Sequence, residues 1–191
     1  MARDASGTRR RILEAADELF YGEGIQSVGV DAIAERAGVT KRTLYYHFRS
    51  KDALIAAYIE ARDGPSFERF RQWVDESEGP IAQRIAGMFT KLAARARDPR
   101  WKGCGFARAA AELAGLPGHP ALRFAARHKK RFEAWLAGLL RRSGVANADA
   151  LARQLLVLLD GAMTHMLIHR DPSYAHAAGK AAVALLEANR R

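Results

Sequence analysis

Apolar residues in this chain recur three and four positions apart, and nowhere do apolar and polar residues alternate long enough to make a strand. That spacing confines the chain to helices, because residues at i, i+3, i+4 and i+7 share one face of a 3.6-residue turn. Ile12, Leu13, Ala16, Leu19 and Phe20 mark the first such face. Thr8 is placed to cap this helix, and Gly22 and Gly24 to end it. A second helix starts near Asp31, a good N-cap, and buries Ile33, Ala34 and Ala37, with Gly38 as its stop. Thr40 caps a third, short helix that reaches about Phe48. Ser50 caps a fourth, from Lys51 through Leu54, Ala57 and Tyr58, which Gly64-Pro65 breaks or kinks.

Longer helical patterns follow over 67–77, 81–97, 121–143, 149–169 and 174–188, with one short helix inside the glycine-rich stretch 100–120. Gly79-Pro80, Asp98-Pro99, Gly144 to Asn147 and Asp171-Pro172 separate them. The fold class is therefore all-α. At 49% hydrophobic and 27% charged residues, the composition excludes global disorder. No uninterrupted apolar run of about 18 residues occurs, so no membrane-spanning helix is expected. The basic opening, Met1 to Arg11, leads into no apolar signal core, which argues against export. With Cys104 as its one cysteine the chain has no internal disulfide, and a cytoplasmic setting is expected.

The net charge of +10 permits a nucleic-acid partner without establishing one. Residues 1–51 hold 9 Lys and Arg against 7 Asp and Glu, whereas residues 52–142 hold 17 against 10. Most of the excess lies outside the opening stretch, so any DNA argument rests on arrangement. The arrangement is specific. Two short helices meet at Ala37-Gly38-Val39-Thr40, and a short glycine turn between two such helices is the helix-turn-helix signature. The second of them has only Leu44 and Phe48 at burial spacing, so Lys41, Arg42, Thr43, Tyr45, Tyr46 and His47 cannot all face inward. An α-helix fits the DNA major groove and reads base edges from its N-terminal end. Lys41 and Arg42 stand there, Tyr45 and Tyr46 offer flat faces and hydroxyls, and His47 and Lys51 lie one turn on, suited to the backbone. An N-terminal arm carrying Arg9, Arg10 and Arg11 would add contacts.

The stretch from Thr8 to Ile59 also resembles the DNA-binding domain of the TetR family of transcriptional regulators. The order I-L-x-A-A, L-F, G, I-A-x-x-A-G-V, T-L-Y-Y-H-F, S-K-x-x-L carries the resemblance over about 50 of the 191 residues. It implies a helix-turn-helix domain over residues 1–50, joined by a helix over 51–63 to an effector-binding and dimerisation domain over 64–191. It implies a recognition helix of about Lys41 to Phe48. Thr40, Lys41, Arg42, Thr43, Tyr45 and Tyr46 would face the groove or its entry, and His47 and Lys51 the phosphates. One departure stands out: where the family often has threonine at the start of its second helix, this chain has Val28 and Gly29, and a phosphate contact there would be lost or pass to Ser27.

The implied function is a ligand-responsive regulator, in the family pattern a repressor. It would bind double-stranded operator DNA of near-palindromic sequence as a homodimer and leave it when a small molecule enters the helical core. No enzyme motif, cofactor site or metal site is expected. Met88, Phe89, Leu92, Trp101, Cys104, Phe106, Arg108, Trp135, Met163 and Met166 are the candidate lining, although such a stripe is plain core more often than pocket. Arg108 and Glu112, four apart, would pair on the surface or reach into the cavity as polar anchors. His165 and His169 have zinc-compatible spacing but no companion at diagnostic spacing, which leaves them a structural or interface role. Cys104 serves packing or a redox response, and the basic run from Arg127 to Arg131 a solvated face or a DNA-backbone contact.

Overall fold

The computed structural model describes residues 2–189, with side chains from Ser6 onward. Met1, Arg190 and Arg191, the outer ends of the two expected domains, lie outside them. The described residues form helices α1 (Ala2–Glu23), α2 (Val30–Arg36), α3 (Lys41–His47), α4 (Lys51–Asp75), α5 (Ile81–Arg95), α6 (Gly105–Glu112), α7 (Pro120–Arg142), α8 (Ala148–His169) and α9 (Ser173–Ala188), and no strand.

Three helix boundaries differ from the sequence expectation, each for a local reason. Thr8 does not begin α1 but lies inside it, its hydroxyl accepting from Arg11 at 3.4 Å. The arginines expected on an N-terminal arm are therefore helical: Arg10 pairs with Glu14 at 3.7 Å, and the Arg9 guanidinium lies 4.9 Å from the centre of the Phe48 ring. α2 starts at Val30 on Gly29, whose side is bare, and Asp31 sits in its first turn, where a carboxylate suits the helix dipole. α4 runs through Pro65 without ending. Proline costs one backbone hydrogen bond, but the preceding residue is glycine, which has no Cβ to clash with the ring.

The chain folds as two compact units. The first comprises the chain up to Asp63 together with Gly105–Ala126; the second comprises Gly64–Cys104 and the chain from Arg127 on. By its contacts 105–126 groups with the first unit. Ile12, Ala16 and Phe20 of α1, Ile33 of α2, Leu44 of α3 and Leu54, Ile55 and Ile59 of α4 are at most 2% exposed and form the first unit's core. Each large apolar side chain buried in this way contributes about 1.5–3 kcal/mol.

In the second unit α9 packs on α5 and α8. The α5–α9 approach is close enough that a Cβ added at Gly179 would stand 3.0 Å from the Phe89 Cβ. Phe132 and Trp135 of α7 meet Phe67 of α4, and Phe132 also Phe70, edge to face with ring centres 5.3–6.4 Å apart. Among the described residues α8 alone has the length and apolarity of a membrane span, with hydropathy 1.3. Arg153 and Asp160 interrupt its apolar run. In this fold it is a core helix, with Leu151, Leu155, Leu159, Met163 and Met166 buried.

Candidate nucleic-acid interface

The turn between α2 and α3 is built from backbone bonds that its sequence permits. Gly38 takes φ +64°, the left-handed conformation that suits glycine. This lets the Val39 N–H reach the Ala34 carbonyl at 2.9 Å and the Gly38 N–H reach the Glu35 carbonyl at 3.0 Å, the paired bonds of a Schellman stop. Two residues later Thr40 caps α3: its hydroxyl accepts from the Thr43 N–H at 3.1 Å and lies 2.9 Å from the Thr43 hydroxyl. Leu44, fully buried, and Phe48, 4% exposed, anchor the helix from below.

The opposite face carries the residues expected to meet DNA. Arg42 is exposed, Tyr45 is 39% exposed and Tyr46 is 82% exposed. The half-buried His47 ring packs edge-on against Tyr46, with centres 5.3 Å apart. Lys51, half-buried, opens α4 one turn on, where Ser50 caps by accepting the Ala53 N–H at 3.0 Å. Lys41 is already engaged: its ammonium lies 3.0 Å from Asp31 of α2, a partner ten residues back with no signal in the sequence. Both side chains are at least half exposed, so the pair is worth under about 1 kcal/mol and yields readily to a phosphate or base. Thr40 and Thr43 spend their hydroxyls on each other and on the cap, which makes them organisers of the helix start first.

The departure at the start of α2 has a structural account. Val28 is 3% exposed and belongs to the core. The Ser27 hydroxyl donates to the Glu23 carbonyl at 2.7 Å, closing the end of α1. A phosphate needs a donor, so Ser27 would have to surrender that bond to replace the missing threonine.

The ten candidate effector-lining residues are divided between the two units. Phe106 and Arg108 lie in the first unit and the other eight in the second. The Arg108 guanidinium donates to the Tyr21 carbonyl at 2.7 Å and lies over the Tyr21 ring. Glu112 accepts the Gln26 N–H at 3.0 Å. The two side chains seat α6 on the end of α1, across 86 and 87 residues of sequence. Nearby, Arg62 pairs with Asp17 at 2.5 Å and covers Tyr21 and Tyr58, while burial pushes the Tyr58 hydroxyl pKa up to about 12. In the second unit Met88, Phe89, Leu92, Trp101, Met163 and Met166 are all buried, Trp135 sits in the aromatic cluster, and Cys104 packs against the same core. Lys129 approaches both Cys104 and Asp160. Burial works against its charge, but those two neighbours outweigh burial and hold its pKa above the usual lysine value. A groove of about 420 Å³ between α5 and α9 is lined by Phe89, Thr90, His176, Gly179, Lys180 and Val183, among others. His165 and His169 stack nearly parallel, 5.8 Å apart, each also stacked on Tyr174.

Comparison with known proteins places this geometry. Residues 12–58 match the family of bacterial regulatory proteins of the TetR type, and residues 105–188 match the tetracyclin repressor-like C-terminal domain. The regulator UidR of Escherichia coli K12 is 40% identical over 75 residues, 39% of this chain and 38% of UidR. SrpR of Pseudomonas putida is 39% identical over 64 residues, 34% of this chain and 30% of SrpR. The chain thus spans about a third to a half of the curated relatives it matches. Over its full length it is similar to a solved TetR-family regulator of Streptomyces coelicolor, at 31% identity and a TM-score of 0.80, covering 97% of each chain. A solved regulator of Streptomyces avermitilis is 29% identical with a TM-score of 0.79, covering 94% of this chain and 98% of that one. An all-helical fold, a capped helix-turn-helix with an outward aromatic and basic face, and full-length likeness at this identity agree: the chain belongs to the TetR family of DNA-binding transcriptional regulators.

Proposed function

We propose that the protein is a homodimeric, effector-responsive repressor acting in the cytoplasm, and that it is not an enzyme. The observation that carries this reading is the outward face of α3, where Arg42, Tyr45 and Tyr46 stand exposed above the buried Leu44 and Phe48. Each α3 enters a major groove of a near-palindromic operator, with two copies about 34 Å apart on one face of the duplex. Arg42 reads a guanine edge, and Lys41 joins it after leaving Asp31. Tyr45 and Tyr46 contact thymine methyls or sugar, Thr40 and Thr43 set the helix entry, and His47 and Lys51 hold phosphates.

The dimer reading is supported by α8, whose Val157 is 67% and Ile168 64% exposed, opposite its buried Leu155, Leu159 and Met166. A two-fold protein fits a two-fold operator. A small apolar effector would enter among Met88, Phe89, Leu92, Trp101, Cys104, Trp135, Met163 and Met166. Such a molecule lowers DNA affinity only if it binds the DNA-free arrangement more tightly than the bound one.

The test is a duplex recovered by selection from a random library and titrated at fixed salt. Tyr45→Ala and Lys51→Ala are each expected to weaken binding about tenfold with thermal unfolding unchanged. Unaltered affinity in both would sink the assigned face. A thermal-shift screen of apolar and anionic metabolites checks the effector, and no stabiliser in it would favour a DNA-binding protein without one.

A further inference from the structure

Buried polar atoms are nearly always hydrogen-bonded, so an exception asks for a reason. His119 supplies one: its Nε2 is buried and has no hydrogen-bond partner. His119 lies in the first unit, between α6 and α7, with its side chain 2% exposed. Its Nδ1 accepts the Ala121 N–H at 3.1 Å. A neutral imidazole whose Nδ1 accepts carries its proton on Nε2, so the stranded group is a donor. Oδ1 of Asp52 lies 3.5 Å from it, beyond ordinary hydrogen-bond distance.

Asp52 is placed where its position bears on DNA. It stands in the first turn of α4, beside Lys51, and its side chain is 66% exposed. The turn is held as a piece: Ser50 accepts the Ala53 N–H through its hydroxyl and the Leu54 N–H through its carbonyl. A shift of about 0.6 Å in that turn would bring Oδ1 to ordinary hydrogen-bond distance from Nε2. It would carry Lys51 along. A leucine at 119 would fill the space without stranding a donor, so the stranded donor is informative about a second arrangement.

We propose that His119 is a positioning residue for DNA binding: in the DNA-bound state its Nε2–H donates to Asp52, and this bond sets the start of α4 so that Lys51 meets a phosphate. The inference rests on the DNA-binding face proposed above.

The test uses the full chain and a duplex recovered from a random library, at several salt concentrations. Asp52→Ala removes a negative charge beside the DNA, and by charge alone should tighten binding. The positioning role predicts the opposite sign: binding about tenfold weaker, with the salt slope reduced by about one. His119→Leu is expected to lose as much, and His119→Gln, whose amide N–H can serve Asp52, to stay within about threefold of the parent. In the His119→Leu background Asp52→Ala causes no further loss. Because Asp52 is exposed, its variant tests the idea even if His119→Leu fails to fold. Equal or tighter binding by Asp52→Ala, alongside weakened binding by Lys51→Ala, overturns the role of His119 alone. No effect of Lys51→Ala overturns the DNA face and this inference with it.

Discussion

Replacing Arg108 by alanine should destabilise the first unit rather than alter an effector site. The half-buried guanidinium donates to the Tyr21 carbonyl at 2.7 Å, in the last turn of α1, where carbonyls lack helical partners. A hydrogen bond from a charged donor is worth about 1.5–3 kcal/mol. The stacking over Tyr21, at 5.7 Å, adds about 0.5 kcal/mol, the low end for a partly solvated pair. Some of this returns when water reaches the freed carbonyl, so the expected loss is about 2 kcal/mol. Arg108→Lys keeps one donor and the charge but not the planar stack, and should lose about 1 kcal/mol. Urea unfolding followed by far-ultraviolet circular dichroism measures both, with the midpoint falling and the slope unchanged. Amide exchange should show α6 and the end of α1 opening together. A loss below about 0.5 kcal/mol for Arg108→Ala, the range of ordinary surface changes, would refute the seating of α6.

Gly179→Val should cost about 1–3 kcal/mol by overpacking against Phe89, and Gly179→Ala less, because helix propensity returns about 1 kcal/mol. A thermal melt unchanged by valine would contradict the close α5–α9 approach. Glu133 has its pKa lowered, first by the hydrogen bond from Lys130 and then by Arg153, with burial opposing. A depressed carboxylate stabilises the fold fully above its unfolded pKa, and that contribution is lost as pH falls through the folded one. The stability advantage of the parent over Glu133→Gln should therefore be present at neutral pH and vanish on acidification below about pH 4; an advantage that persists in acid would exclude the ion pairs as its source. Val157→Glu with Ile168→Glu should yield monomers in sedimentation equilibrium and weaken operator binding, and an undiminished dimer mass would move the interface off this face of α8.

The parts legible in the sequence are those that depend on neighbours a few residues away. Helix periodicity, the Gly38 stop and the Thr40 cap are local patterns, and the turn they specify is built as expected. Leu44 and Phe48 were readable as anchors because helical spacing leaves them alone on their face. Pro65 misled for the same reason in reverse. Local chemistry argues for a break, yet one lost backbone bond is small beside the burial of Phe67 and Val74 further along α4.

What could not be read is whatever joins distant segments. Arg108 and Glu112 share a helix face, and from spacing alone an i,i+4 pair looks like a surface salt bridge. Their partners instead are the Tyr21 carbonyl and the Gln26 N–H, backbone groups that every sequence possesses and that no residue type announces. His119 is the sharper case. In the sequence it is one histidine between Gly118 and Pro120, without spacing to any ligand. Only the fold shows that it is buried, that Ala121 fixes its tautomer, and that Asp52 stands just out of reach. Recognition of DNA is written locally, in the few residues that face the groove, because a groove is met by one helix. Contacts such as those of Arg108, Glu112 and His119 pass between segments far apart in the chain, and so their residues carry no local pattern by which to find them.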